Sequence, residues 1–154
     1  MRNRLLLIAA APLAAVTMLS GCSSSEQAPE STQSKIIQLV PIPGGDLHQI
    51  TLAQVAITSL GIQTQPLQQG KVRLQAGGAV NEKNIPFGAV IYDPSGSAWT
   101  YTTTGPRSFV RSPITIDRID GDTALLKAGP AAGTPVVTVG APELLGAEYG
   151  VGEE

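Results

Sequence analysis

Apolar and polar positions divide the 154-residue chain into stretches of different character. After Arg2 and Arg4 comes an apolar run, Leu5 to Leu19, which leaves through the small residues Ser20 and Gly21. Ser23 to Lys35 then hold Ser, Gln, Glu, Pro and Thr and almost nothing apolar. From Ile36 to Gly150 apolar residues return, mostly with a period of two. Val72-Arg73-Leu74-Gln75-Ala76 and Ile114-Thr115-Ile116-Asp117 alternate, while Ala89–Tyr92, Ala124–Leu126 and Val136–Val139 are apolar runs of strand length. Turn signals separate them: Asp93-Pro94-Ser95-Gly96, Thr104-Gly105-Pro106, Asp120-Gly121-Asp122 and the stretch from Gly129 to Gly133. Short strands every ten or so residues predict a mainly β domain, a small barrel or sandwich. One segment, Thr51 to Leu60, instead spaces Leu52, Val55, Ala56, Ser59 and Leu60 for a helix. Thr51 is its expected N-cap and Gly61 lies just past its end. The prediction is one short helix.

A basic start, an apolar core and a small-residue exit make a secretory signal peptide, too short for a comfortable membrane span. Leu19-Ser20-Gly21-Cys22 resembles the bacterial lipobox. That resemblance implies cleavage between Gly21 and Cys22 and a diacylglyceryl group on the Cys22 sulfur. The competing reading is an ordinary signal peptide with a chance cysteine. Cys22 is the only cysteine, so the chain forms no internal disulfide. One acyl chain holds a protein only marginally, at about 0.8 kcal/mol per buried methylene, whereas two or three hold it durably. The expected layout is a signal peptide over 1–21, a lipidated flexible tether over 22–35, a β domain over 36–150 and a tail over 151–154. A coil of the tether's length spans on the order of 20 Å and reaches about 45 Å at full stretch. The domain is therefore expected to work close to a membrane.

Loss of residues 1–21 removes Arg2 and Arg4 and both methionines. Eight basic residues then face twelve acidic ones, a net charge of −4. A mildly acidic domain without a basic run is a poor partner for nucleic acid, and none is expected. Attachment to the membrane is left to Cys22.

The inventory of reactive side chains argues against an enzyme. His48, the only histidine, follows Gly44-Gly45-Asp46-Leu47 in an expected loop, where solvation is its commoner fate. No serine stands in a Gly-x-Ser-x-Gly setting and no glycine loop with a lysine cradles phosphate. Asp117, Asp120 and Asp122 offer oxygen ligands to calcium, but they also read as a hairpin turn, and no downstream glutamate completes a calcium loop. No cofactor is expected. Trp99, Tyr101 and Phe109 fall in strand-like segments, where core packing is the usual role; any that is exposed becomes a contact candidate. The expected partner surface covers Tyr92, Trp99, Tyr101, Arg107, Phe109 and Arg111, near Tyr92–Tyr101 or Thr104–Arg111.

Several phrases, in order, resemble the periplasmic adaptor subunits, or membrane fusion proteins, of RND-type efflux pumps. They are Ile50–Val55 followed by Leu60–Leu67, Ile85–Tyr92, Trp99–Tyr101, Phe109–Ile116, Ala128–Gly140 and Glu143-Leu144-Leu145. The resemblance covers most of residues 50–150. A full adaptor also carries a helical hairpin, a lipoyl-like domain and a β-barrel. Here Leu67 runs to Val72 through Gln-Gln-Gly-Lys alone, and no heptad region is present. The resemblance thus implies the membrane-proximal domain without the excursion, docked on a transporter or on a full-length adaptor. Some adaptors pass copper or silver through methionines. The processed chain has none, so no soft-metal site is expected.

Three functions fit: a lipid-anchored, non-catalytic interaction module of a membrane efflux or transport system, a lipoprotein binding a small molecule or surface polymer, or a remnant adaptor without a pump. The expected location is the extracytoplasmic face of the cell membrane. By resemblance to the lipoprotein sorting pattern, Ser23 stands where an aspartate would imply inner-membrane retention, so in a cell with two membranes the outer one is open to it.

Overall fold

The structure is a computed structural model that describes residues 36–150. The expected signal peptide over 1–21, the expected anchor at Cys22, the expected tether over 22–35 and the expected tail over 151–154 lie outside the described residues. The expectation of a mainly β domain holds: among the described residues eleven strands form two antiparallel sheets, with two α-helices beside them. Neither sheet closes into a barrel. None of the described helices is long and apolar enough to cross a membrane.

The first sheet is ordered β1 (Ile37–Pro41), β2 (His48–Leu52), β8 (Ser108–Pro113), β7 (Ala98–Gly105), β11 (Pro135–Val139) and β3 (Gln63–Pro66), with β6 (Ile91–Tyr92) also pairing to β7. The second is β4 (Gln68–Arg73), β5 (Ala79–Pro86), β10 (Thr123–Ala128) and β9 (Thr115–Asp120). Helix α1 (Gln54–Leu60) follows β2, and α2 (Ala141–Glu148) ends the described chain. Residues opposite one another on paired strands share a face, and the register sorts the core into two parts. Ile50, Leu52, Tyr101, Phe109 and Val137 pack with Ala56 of α1 and with Ala141 and Leu144 of α2. Val136 points the other way and joins Leu67, Ile85, Ala124 and Leu126 between the sheets. The middle of the first sheet therefore packs under the helices on one face, and β11 faces the second sheet on the other, while β1 at the edge stays exposed.

Three expectations are corrected. The helix begins at Gln54 with Ala53 as its N-cap residue, whereas Thr51 belongs to β2 and its Oγ1 lies 3.1 Å from Ser108 Oγ on β8. The alternation of His48–Leu52 wins over the helical spacing because β1 and β8 both pair with it. Gly61 does end the helix in the left-handed region (φ 62°), its N–H on the carbonyls of Ile57 and Thr58. Gln68–Lys71, read as a bare junction, is most of β4, and the chain turns after Arg73. Finally, Ala141–Glu148 is a second helix, entered through Gly140 at φ 89°. A Cβ at Gly140 would collide with the Ile62 side chain, so the tight entry needs glycine twice over.

Candidate functional site

Among the described residues, ionisable and aromatic side chains gather where α2 ends against β2, β7 and β8. Register explains the gathering. Tyr101 on β7 stands opposite Arg111 on β8, with Trp99 two residues along on the same face, and β2 brings His48 alongside Arg111. The C-terminal end of α2 then lowers Glu148 onto them. A carboxylate at a helix C-terminus opposes the helix dipole, so its position is held by tertiary partners. Tyr101 Oη donates to Glu148 Oε2 at 2.5 Å, and the His48 backbone N–H donates to Oε1 at 3.3 Å. Arg111 Nε lies 2.8 Å from Oε2, both side chains being nearly fully buried. The Nε–H is not aligned on that oxygen, so the contact is an ion pair rather than a directed hydrogen bond.

The Arg111 guanidinium also lies 4.9 Å from the centre of the Trp99 ring and 5.4 Å from that of Tyr149, within cation–π range of both. Its Nη1 donates to Tyr149 Oη at 3.3 Å. Trp99 is fixed at its other end, where Nε1 donates to Asp93 Oδ2 at 3.0 Å. Asp93 in turn organises the β6–β7 turn by accepting from the Ser95 hydroxyl and from the N–H groups of Ser95 and Ser97. These bonds, that of Ser95 above all, hold the Asp93 carboxyl at about 2, below its ordinary 3.8. Burial, reinforced by the hydrogen bond to Glu148 and its charge, pushes the Tyr101 phenol above its ordinary range. For Arg111, burial is the largest single influence and disfavours the charge, but the Glu148 carboxylate together with Tyr149 and Tyr101 outweighs it, and the guanidinium is held more firmly protonated.

Chemically, this is a neutralised pair with its donors and acceptors directed inward. Tyr101 and Phe109 are fully buried and Arg111 nearly so, placing these three expected contact residues in the interior. Trp99 is half-buried, while Tyr92 and Arg107 are on the surface. His48 is the first residue of β2 rather than part of a loop, with Nδ1 3.9 Å from Glu148 Oε1. Sequence reasoning missed Glu148 and Tyr149. The turn at Thr104-Gly105-Pro106 fixes a hairpin register in which Tyr101 opposes Arg111, and that arithmetic is the signal for half of the cluster.

The acidic cluster is used elsewhere. Asp117 lies 2.8 Å from Arg118 Nε and 3.1 Å from Lys127 Nζ, and the Lys127 contact first of all lowers its pKa. Asp120 accepts from the Gln75 N–H at 2.8 Å and begins the turn between β9 and β10. Among the described residues no group of three or more His, Cys, Asp or Glu side chains is placed to hold a metal ion. A separate surface groove of about 390 Å³ runs between α1, β3 and the β7–β8 hairpin, lined by Ile57, Ile62, Phe109, Pro106 and Pro135 with the hydroxyls of Thr64 and Thr103.

Compared with protein-family models, curated proteins and solved structures, the chain matches none.

Proposed function

We propose that the protein is a lipid-anchored, non-catalytic interaction module on the extracytoplasmic face of the cell membrane, associated with an efflux or other transport system. Cys22 carries the anchor, and the domain beginning at Ile36 docks on a transporter or on a full-length adaptor. The observation that carries this reading is the aromatic pair around Arg111. Trp99 and the half-exposed Tyr149 are held against one buried guanidinium, and Trp99 is pinned again by Asp93. Rigid aromatic side chains that need no further ordering are efficient contact anchors. Around them the charged groups are paired internally, which suits a surface for docking better than one for proton transfer. Tyr92 and Arg107 extend the candidate surface. The ordered adaptor-like phrases in residues 50–150 supply the class of partner.

The test is chemical crosslinking in intact cells, followed by detergent extraction and mass spectrometry. A transporter or adaptor recovered with the wild type, and lost with Trp99→Ala or Tyr149→Ala, supports the reading. The Ile57–Phe109 groove favours a second reading, a small-molecule-binding lipoprotein, because its volume falls at the lower end of ligand-site sizes and its lining is apolar with two hydroxyls. Recovery of no transport component, together with a reproducible small molecule in the purified protein, selects that reading.

A further inference from the structure

Among the described residues the first sheet ends at β1, and that edge is unusual. All five of its residues are exposed, and Ile36, Ile37, Leu39 and Val40 are among the chain's exposed large apolar side chains. The pattern of its bonds to β2 shows which backbone groups are spare. Ala53 N–H donates to the Ile36 carbonyl and Ile42 N–H to the Leu47 carbonyl, both at 2.8 Å. In the β1–β2 ladder the even-numbered residues therefore bond inward. Ile37 and Leu39 turn their N–H and C=O groups away from the sheet. Pro41 occupies the next outward position, where its missing N–H costs the sheet nothing.

The segment Ile36-Ile37-Gln38-Leu39-Val40 reads the same in both directions by side-chain type. Antiparallel pairing about a two-fold axis through Gln38 sets Ile37 against Leu39 of a second copy, Ile36 against Val40, and Gln38 against itself. All four outward groups of each Ile37–Leu39 pair are then satisfied. A slip of two residues toward Pro41 would oppose Gln38 to Val40 and Ile37 to Pro41, losing both the match and ladder donors, and the opposite slip would set Gln38 against Ile36. No residue from Ile36 to Pro41 is charged, so self-pairing meets no local repulsion. A lipid surface is a poorer occupant, because hydrocarbon leaves the Ile37 and Leu39 backbone groups without partners.

We infer that β1 is a self-complementary docking edge, and that two copies of the chain join it antiparallel into one continuous sheet. The contact is isologous and uses up the edge, so it closes at a dimer. The opposite edge, β3, is Gln63-Thr64-Gln65-Pro66, polar and ended by proline, and offers no comparable match. This dimer does not depend on the partner proposed above; confinement by the proposed anchor would raise its occupancy.

The experiment is cysteine crosslinking of the full chain in intact cells under a mild oxidant. Gln38 bonds inward, so it would face its symmetry mate in a non-hydrogen-bonded pair, with Cα atoms about 4.5 Å apart, within disulfide range. Gln38→Cys is expected to give a reducible band of twice the monomer mass, several-fold stronger than Gln63→Cys on β3 or the wild type with Cys22 alone. Leu39→Lys in the Gln38→Cys background is expected to weaken that band by the same factor. Palmitate labelling of the same samples reports the anchor independently. A Gln38→Cys band no stronger than that of Gln63→Cys overturns the inference, as does one unchanged by Leu39→Lys or one whose crosslinked partner is another protein.

Discussion

Replacing Glu148 by alanine tests how the site is built. The carboxylate is nearly fully buried and answers three groups: the Tyr101 hydroxyl, the His48 N–H and the Arg111 guanidinium. Its removal strands a buried cation, which costs about 3–5 kcal/mol where one partner of a buried pair is deleted. The orphaned Tyr101 hydroxyl is worth about 1–3 kcal/mol more when left unsatisfied, though the two losses overlap because both act through one carboxylate. A total near 4 kcal/mol is a large share of the roughly 5–15 kcal/mol that stabilises an ordinary domain. At roughly 4 °C per kcal/mol for a domain of this size, Tm falls by roughly 16 °C. Trp99 is the only tryptophan and lies 4.9 Å from Arg111, so its emission in a urea titration reports both the site and the fold. The midpoint should fall with m unchanged. Replacing both partners, Arg111→Met with Glu148→Met, removes the stranded charge and should cost less than Glu148→Ala alone. A Glu148→Ala loss below about 1 kcal/mol, the worth of an exposed pair, would refute the reasoning. So would a double variant less stable than the single one.

Three smaller predictions follow from other parts of the fold. Gly140→Ala should destabilise by about 1–3 kcal/mol in the same titration, since the left-handed backbone and the Ile62 side chain both resist a Cβ. Thr100→Val should be neutral or stabilise by about 1 kcal/mol, because Thr100 Oγ1 is fully buried without a partner and valine keeps its shape. Tyr101 has a folded pKa above its ordinary 10.0, so its contribution is complete below pH 10 and is lost as pH rises beyond it. Ultraviolet difference spectroscopy should accordingly show one tyrosine that ionises only as the protein unfolds, and Tyr101→Phe should abolish that step.

The legible part of the fold was the part with a half-buried surface. β10 and β11 carry apolar runs because both lie within a sheet and feed a core, and the Asp93–Gly96 and Asp120–Asp122 turns need their residue types for backbone reasons. β1 was not legible, because it is an edge strand exposed along its whole length and needs no alternation. Of β4, an edge of the second sheet, only Val72 and Arg73 fell within an expected strand, and the largely exposed Gln68–Lys71 escaped notice. Helix α2 escaped notice because it is short and contains Pro142 and Gly146. It stands through Ala141 and Leu144 in the core and through Glu148 at its end, contacts that no local pattern encodes. The candidate site was half legible. Trp99 and Tyr101 read as core first and as contacts only where exposed, and Tyr101 is indeed core. Arg111 reads as a surface contact, but the partner that draws it inward lies 37 positions away on an unforeseen helix.

The central claim, that this domain works from a lipid anchor, is tested most directly by labelled palmitate in growing cells, with membranes separated from soluble fractions. Wild-type protein should carry label and sediment with membranes, whereas Cys22→Ala should take up no label and persist as an unprocessed or slowly processed precursor. Label on Cys22→Ala equal to the wild type, or an unlabelled wild type free of the membrane, would contradict the account.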